Sequence, residues 1–311
     1  HPSVPFPGRA AAPGGDRLVD AIKSGNRAAA LAMLQQGADV NAREANGTTP
    51  LHYAAYNEDA DLVERLIKAG AKVSVVNDFG STPMAEAAAV GNAVIIKMLL
   101  KAGADVNSRN RENQTALMSV ARTGRVDAAR LLLEAGADVN AAEEWGGQSA
   151  LMWAAAQKQP AMVKLLIEHG ADVNARGAVR DWQRRITAET RPKDLDRGGY
   201  TALLYAAREG CVECARHLVE GGANINLTDP NRESPLVLAL INMRFDTAFY
   251  LISAGADVDK WDLYGRTPLF AAVDLSTLPR GGRPDLPSSD ETSAVQVIKT
   301  LLDKGANPNI Q

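Results

Sequence analysis

Few residues in this chain have the type and spacing for covalent or metal chemistry. Cys211-Val212-Glu213-Cys214 puts two cysteines one helical turn apart, a spacing suited to thiol–disulfide exchange when the first opens a helix. No His follows the second Cys, and no second CxxC exists, so haem attachment and a zinc site both lack ligands. The only histidines are His1, His52, His169 and His217, and none stands with Cys or carboxylates at metal-ligand spacing. Gly198-Gly199 and Gly281-Gly282 lack the Lys-Ser/Thr that a phosphate cradle requires. The expectation is a protein that is not an enzyme, with no catalytic residue, no metal and no cofactor.

The elements that must position any site come from a repeat. A phrase close to Gly-Ala-Asp-Val-Asn recurs with its glycine at Gly37, Gly70, Gly103, Gly136, Gly170, Gly222, Gly255 and Gly305. A second phrase, Thr/Ser-Pro/Ala-Leu/Met, starts at Thr49, Thr82, Thr115, Ser149, Thr201, Ser234 and Thr267. Most intervals are 33 residues. An interval of 52 in both series marks an insertion near 176–197, and one of 50 in the glycine series alone marks another near 274–291. About eight units remain, over residues 16–311, behind a Pro/Gly-rich head at 1–15.

Each phrase has a local cause. In Thr49-Pro50-Leu51 the hydroxyl caps a helix and Pro50 takes the first helical position, where no amide donor is needed. Ala54-Ala55 permit close approach of a neighbouring helix. Leu62-Val63 with Leu66-Ile67 mark a second helix, and Gly70 is its left-handed end. Asp-Val-Asn and the Gly47-type residue then make a turn. Asn113 and Arg232 replace the turn glycine, while Glu58, Lys158 and Met243 stand where a first helix elsewhere ends at Gly91, Gly124 or Gly210.

With Gly-x-Thr-Pro-Leu-His-x-Ala-Ala and Leu-Leu-x-x-Gly-Ala-Asp-Val-Asn at this period, the chain resembles the ankyrin-repeat family over nearly all of residues 16–311. The resemblance implies an all-α solenoid of helix pairs with finger-like turns, and gives His52 a hydrogen bond between adjacent units. In the repeat register Cys214 takes an apolar core position, so a buried thiol with an incidental neighbour outweighs a redox pair.

Composition agrees with thin, closely stacked helices. There are 53 alanines, while aromatic residues are 5% of the chain. With 34 basic and 37 acidic residues the net charge is -3, which disfavours general binding to nucleic acid or anionic membrane. No apolar run is long enough to span a bilayer, and no signal peptide is visible. Two cysteines make no disulfide framework. The start at His1 and the Pro-rich head favour an exported chain over a cytoplasmic one.

Repeat proteins recognise partners through residues that differ between units at equivalent exposed positions. Phe79, Trp145, Tyr200 and Tyr264 are expected at finger tips, and Tyr56, Arg122, Arg208 and Ile241 at the exposed ends of first helices. The first insertion adds Trp182, Arg184 and Arg185; Trp182 and Ile186 are four apart, suggesting a short amphipathic turn. The second, with Pro279, Pro284 and Pro287, reads as an irregular loop. Residues 16–41 resemble a capping unit. The last helix keeps ordinary apolar positions, so further repeats or a partner are expected against that end. The leading functional reading is a scaffold binding an unidentified protein partner. The alternative is a permanent accessory subunit of a larger complex.

Overall fold

The computed structural model describes residues 17–183, 194–277 and 290–309. The head 1–15, Arg184, Arg185, Ile186 and the stretch 278–289 lie outside the described residues, as do the side chains of residues 181–183, 194–197 and 275–277. Two compact units divide the chain at Arg111/Glu112.

The first unit holds three helix pairs: α1 (Leu18–Lys23) with α2 (Arg27–Gln35), α3 (Pro50–Tyr56) with α4 (Ala60–Lys68), and α5 (Pro83–Val90) with α6 (Ala93–Lys101). First helices pack on first helices, α1 on α3 and α3 on α5, while α4 packs on α6. The core between the layers is Leu51, Leu66, Ile95, Ile96 and Leu99, each fully buried. Burial of such a side chain stabilises by about 1.5–3 kcal/mol. The Pro-Leu phrase does what its chemistry requires: Thr82 Oγ1 accepts from the Ala85 amide, and Pro83 sits at the first turn.

His52 links adjacent repeats, as the resemblance implied. Its Nδ1 accepts from the Thr49 amide at 3.2 Å, and its Nε2 donates to the Ser81 carbonyl at 3.1 Å. Burial holds this imidazole below its ordinary pKa, which keeps it neutral and fit for both bonds.

The second unit holds five pairs among the described residues: α7 (Ala116–Thr123) with α8 (Val126–Glu134), α9 (Ala150–Ala156) with α10 (Pro160–Glu168), α11 (Ala202–Glu209) with α12 (Val212–Glu220), α13 (Pro235–Ile241) with α14 (Phe245–Ser253), and α15 (Pro268–Thr277) with α16 (Ala294–Asp303). Contacts run α7–α9–α11–α13–α15 in one layer and α8–α10–α12–α14–α16 in the other. Neither insertion interrupts them.

The asparagine of the Asp-Val-Asn phrase explains this continuity. Asn140 donates to the Gly170 carbonyl at 3.1 Å and accepts from the Asp172 amide at 2.8 Å. Asn174 makes the same two bonds to Gly222 and Asn224, although the first insertion lies between. Side chains bridge neighbours in space, so extra residues in a finger leave the bridge intact.

The first insertion departs from the expected helical turn. Val179–Gln183 (β1) pairs antiparallel with Asp194–Gly198 (β2), and Trp182 lies opposite Leu195. A short helix with no stack to pack against is only marginally stable, whereas two arms satisfy each other's amides and carbonyls. The finger is thus drawn out into a β-ribbon. The buried-thiol reading of the cysteines also needs correction. Cys211 and Cys214 form a disulfide, and Cys211 Sγ occupies the N-cap of α12, accepting from the Cys214 amide. One turn at a helix start brings their Cα atoms to 5.2 Å, within bonding range.

Candidate functional site

Three positions of every repeat share the face of its first helix: the residue before the N-cap, the fourth after it and the seventh after it. The latter two are three apart and so neighbours on one helical face. In the second unit they give Gln114, Gln148, Tyr200, Glu233 and Arg266; then Ser119, Trp153, Tyr205 and Leu238; then Arg122, Ala156, Arg208 and Ile241. Stacking the first helices sets these rows side by side.

The centre is an arginine between two tyrosines. The Arg208 guanidinium lies 5.5 Å from the Tyr200 ring centre and 5.1 Å from that of Tyr205. The two rings meet edge-on at 5.3 Å, and the Gln148 amide donates to the Tyr205 hydroxyl. Burial, reinforced by Glu233 and Asp229, pushes Tyr200 up to about 12, so its hydroxyl stays protonated. Arg208 also pairs with neighbouring Glu209 at 2.8 Å.

Towards α7, Arg122 lies 5.7 Å from the Trp153 ring centre. Gln114, Met118, Ser119, Arg122 and Trp153 line a small niche there. The Trp153 indole N–H is buried and has no hydrogen-bond partner among the described residues. Towards α15, Arg266 donates to Glu233 at 3.0 Å and to Asp262 at 2.7 Å. Burial, with repulsion from Asp229, still pushes Glu233 up to about 7.

The fingers continue this face. Buried acids shape two of these turns: Glu143 accepts from the amides of Trp145, Gly146 and Gln148, and Asp262 from those of Tyr264 and Arg266. Successive fingers are joined by single backbone bonds, such as Ala178 N–H to the Gly146 carbonyl at 2.7 Å. Trp145, 71% exposed, is a true tip and carries the Arg180 guanidinium 4.1 Å above its ring. Tyr264 is also an exposed tip, 4.9 Å from Arg266.

Other expected site residues fall elsewhere. Tyr200 is no tip; it directly precedes the Thr201 N-cap and is half-buried at the finger base. Phe79 is an exposed tip that belongs to the first unit. Trp182 is on β1, and Arg184 and Arg185 lie outside the described residues. Trp153, Tyr205 and Trp261 were missed from sequence. Trp153 and Tyr205 sit in Ala-rich helix phrases that read as core, and the signal to follow was the fourth position after each cap.

In the first unit several of these positions, Tyr53, Ser81 and Glu86, are satisfied internally. Tyr53 donates to Glu44, which also pairs with Lys23, and Ser81 donates to Glu86. Among the described residues no group of His, Cys, Asp and Glu is placed to hold a metal ion, and no helix is long and apolar enough to cross a membrane.

Comparison with known proteins agrees with this architecture. The family model described as ankyrin repeats (3 copies) matches residues 18–110 and 95–177, and that for the single ankyrin repeat matches 198–230 and 264–311. Among solved structures, the human ASB11 ankyrin repeat domain is similar at 23% identity with a TM-score of 0.62, covering 77% of this chain and 98% of that one. At that identity the likeness concerns the fold.

Proposed function

Because this chain belongs to the ankyrin-repeat family, whose domains are generally protein-interaction modules, we propose that it is a non-catalytic scaffold that binds a protein partner on the first-helix face of its second unit. The observation that carries this reading is the run of Arg122, Trp153, Tyr205, Tyr200 and Arg208 on one face. Tyr, Trp and Arg are the side chains that most often anchor interfaces, because they bury much area and keep a polar edge. Exposed Trp145 with Arg180, and Tyr264, extend the face towards the finger tips. The proposal includes Trp182, Arg184 and Arg185 of the first insertion as further partner-binding residues.

Export to an oxidising compartment belongs to the same proposal, and the Cys211–Cys214 disulfide supports it. The test begins with affinity capture of a partner on the full chain, followed by titration calorimetry. Tyr205→Ala with Arg208→Ala is expected to weaken binding at least tenfold, about 1.4 kcal/mol, with the helical circular-dichroism signal unchanged. Unchanged affinity in that double variant would move the search to the opposite face.

A further inference from the structure

We infer that the ends of α7, α9, α11 and α13 form a basic strip that takes an acidic segment of the protein partner. The inference rests on the first-helix face being the recognition surface, and adds the charge of what that face reads.

The strip is built by register. Each of these helices ends at or just after the seventh residue beyond its cap and turns into the second helix of its pair: Arg122 to Arg125, Ala156 to Gln159, Arg208 to Cys211 and Ile241 to Arg244. Because α7 packs on α9, α9 on α11 and α11 on α13, the four turns lie side by side. Side chains reach from one turn to the next. Gln159 fills the space a Cβ would need at Gly124, and Arg244 does the same at Gly210 while donating through Nε to the Arg208 carbonyl at 3.3 Å. Arg122, Arg125, Lys158, Arg208 and Arg244 thus stand along one edge, with Glu209 the single acid in the four turns.

Helix ends alone do not account for this charge. A helix C-terminus favours a nearby cation, yet the matching turns of the first unit, Tyr56 to Asp59 and Ala89 to Asn92, carry two acids and no base. The excess belongs to these four repeats, on a chain whose net charge is -3. Little beside it neutralises it. Glu209 pairs with Arg208, Glu213 pairs with Arg216, and Asp246 accepts from the Glu291 and Thr292 amides, which leaves Asp127 on α8. Arg122, Arg125 and Lys158 are exposed and form no ion pair among the described residues. A complementary anionic segment is steered to such a strip and held there.

The neighbouring side chains favour carboxylates over other anions. Trp153, Tyr200 and Tyr205 are half-buried and already meet Arg122 or Arg208, so they are poor platforms for stacking a nucleic-acid base. The four turns expose no large apolar side chain, so a lipid surface finds nothing to insert. Packed helices stand about 8–10 Å apart and an extended chain advances about 3.3 Å per residue, so about eight residues cross the four repeats.

The experiment titrates the full chain with defined anions and reads fluorescence anisotropy at low salt. The probes are two labelled ten-residue peptides, one of alternating Glu and Ser and one of alternating Gln and Ser, and a labelled ten-nucleotide oligothymidylate. Vesicles of phosphatidylcholine and phosphatidylserine are tested by co-sedimentation. The Glu peptide is expected to bind saturably, at least tenfold more tightly than the Gln peptide, and to weaken as salt rises. Combining Arg122→Gln, Arg125→Gln and Lys158→Gln should cost that peptide at least fivefold in affinity, with the helical circular-dichroism signal unchanged. A matched control in the first unit, Lys72→Gln with Lys97→Gln and Lys101→Gln, removes as much exposed charge and should leave binding as it was. Equal affinity for the two peptides, or equal losses in the two triple variants, overturns the inference. So does tighter binding of the oligothymidylate or the vesicles than of the Glu peptide. The wider reading of the face is judged separately. If a captured partner binds the Arg122, Arg125 and Lys158 variant as tightly as the parent chain but loses affinity for the Tyr205 and Arg208 double variant, the face stands and only the acidic segment falls.

Discussion

At the scale of single residues, backbone strain is the most direct lever on stability. Glu58, Lys158 and Met243 end their first helices with φ of 58°, 55° and 56°, where Gly91, Gly124 and Gly210 serve elsewhere. A side chain in the left-handed region costs about 1–2 kcal/mol, partly offset because glycine loses more entropy on folding. Exposed Lys158→Gly is therefore expected to stabilise by about 0.5–1 kcal/mol in urea denaturation. Arg232→Gly should gain less, because Arg232 also stacks 4.1 Å above Trp261. A destabilised Lys158→Gly would show that the turn is not strained. Glu233 offers a second test. Its folded pKa is raised to about 7 from 4.5, so the neutral form is favoured on folding. That contribution is fully present below pH 4.5 and is lost as pH rises through 7. Glu233→Gln, which stays neutral, should raise the melting temperature above pH 7, and the gain should vanish towards pH 4.5. A gain independent of pH would locate the effect elsewhere.

At the scale of elements, the second insertion divides into a dispensable part and an anchored one. Helix α15 runs on to Thr277, and the chain is tied again at its far end. Asp290 accepts from the Phe245 amide at 2.7 Å, capping α14, whose own N-cap residue Arg244 offers no side-chain bond. Asp246 returns the contact, accepting from the Glu291 and Thr292 amides, and those bonds hold its carboxyl below the usual range although burial opposes them. Replacing residues 278–289 by a short Gly/Ser turn should then change stability by less than about 1 kcal/mol, since loop entropy grows slowly with length. Asp290→Ala should cost about 1 kcal/mol, as the loss of other helix caps does. Thermal denaturation of both variants checks the pair of outcomes. Equal losses in the two would mean the loop packs on the stack.

At the scale of the whole molecule, each helix pair of a repeat protein contacts only its neighbours, so disturbance spreads by nearest-neighbour terms. Leu251 is fully buried in α14, a helix that packs against α12, α13 and α16. Leu251→Ala should cost about 2–5 kcal/mol. Native-state hydrogen exchange is expected to lose protection across α12–α16 while α7–α10 retain theirs. Uniform loss across all five pairs would instead show that the second unit unfolds as one cooperative body.

The repeat was legible in the sequence because its signals are local and periodic. A cap hydroxyl, a proline in the first turn and a glycine at each end act within a few residues of themselves, so Thr82, Pro83 and Gly91 could be read in place. The left-handed Glu58, Lys158 and Met243 were readable for the same reason. The recognition face was only partly so. Arg208 and Trp145 could be picked out by type and position, but the apposition of Gln148 and Tyr205, 57 residues apart, exists only because α9 stacks on α11. The β-ribbon likewise depends on a partner strand across an insertion, and the disulfide on the direction two side chains take as α12 begins. Local chemistry decides where a helix starts and stops. Which side chains then face one another is decided by packing between repeats, and no single repeat contains that information.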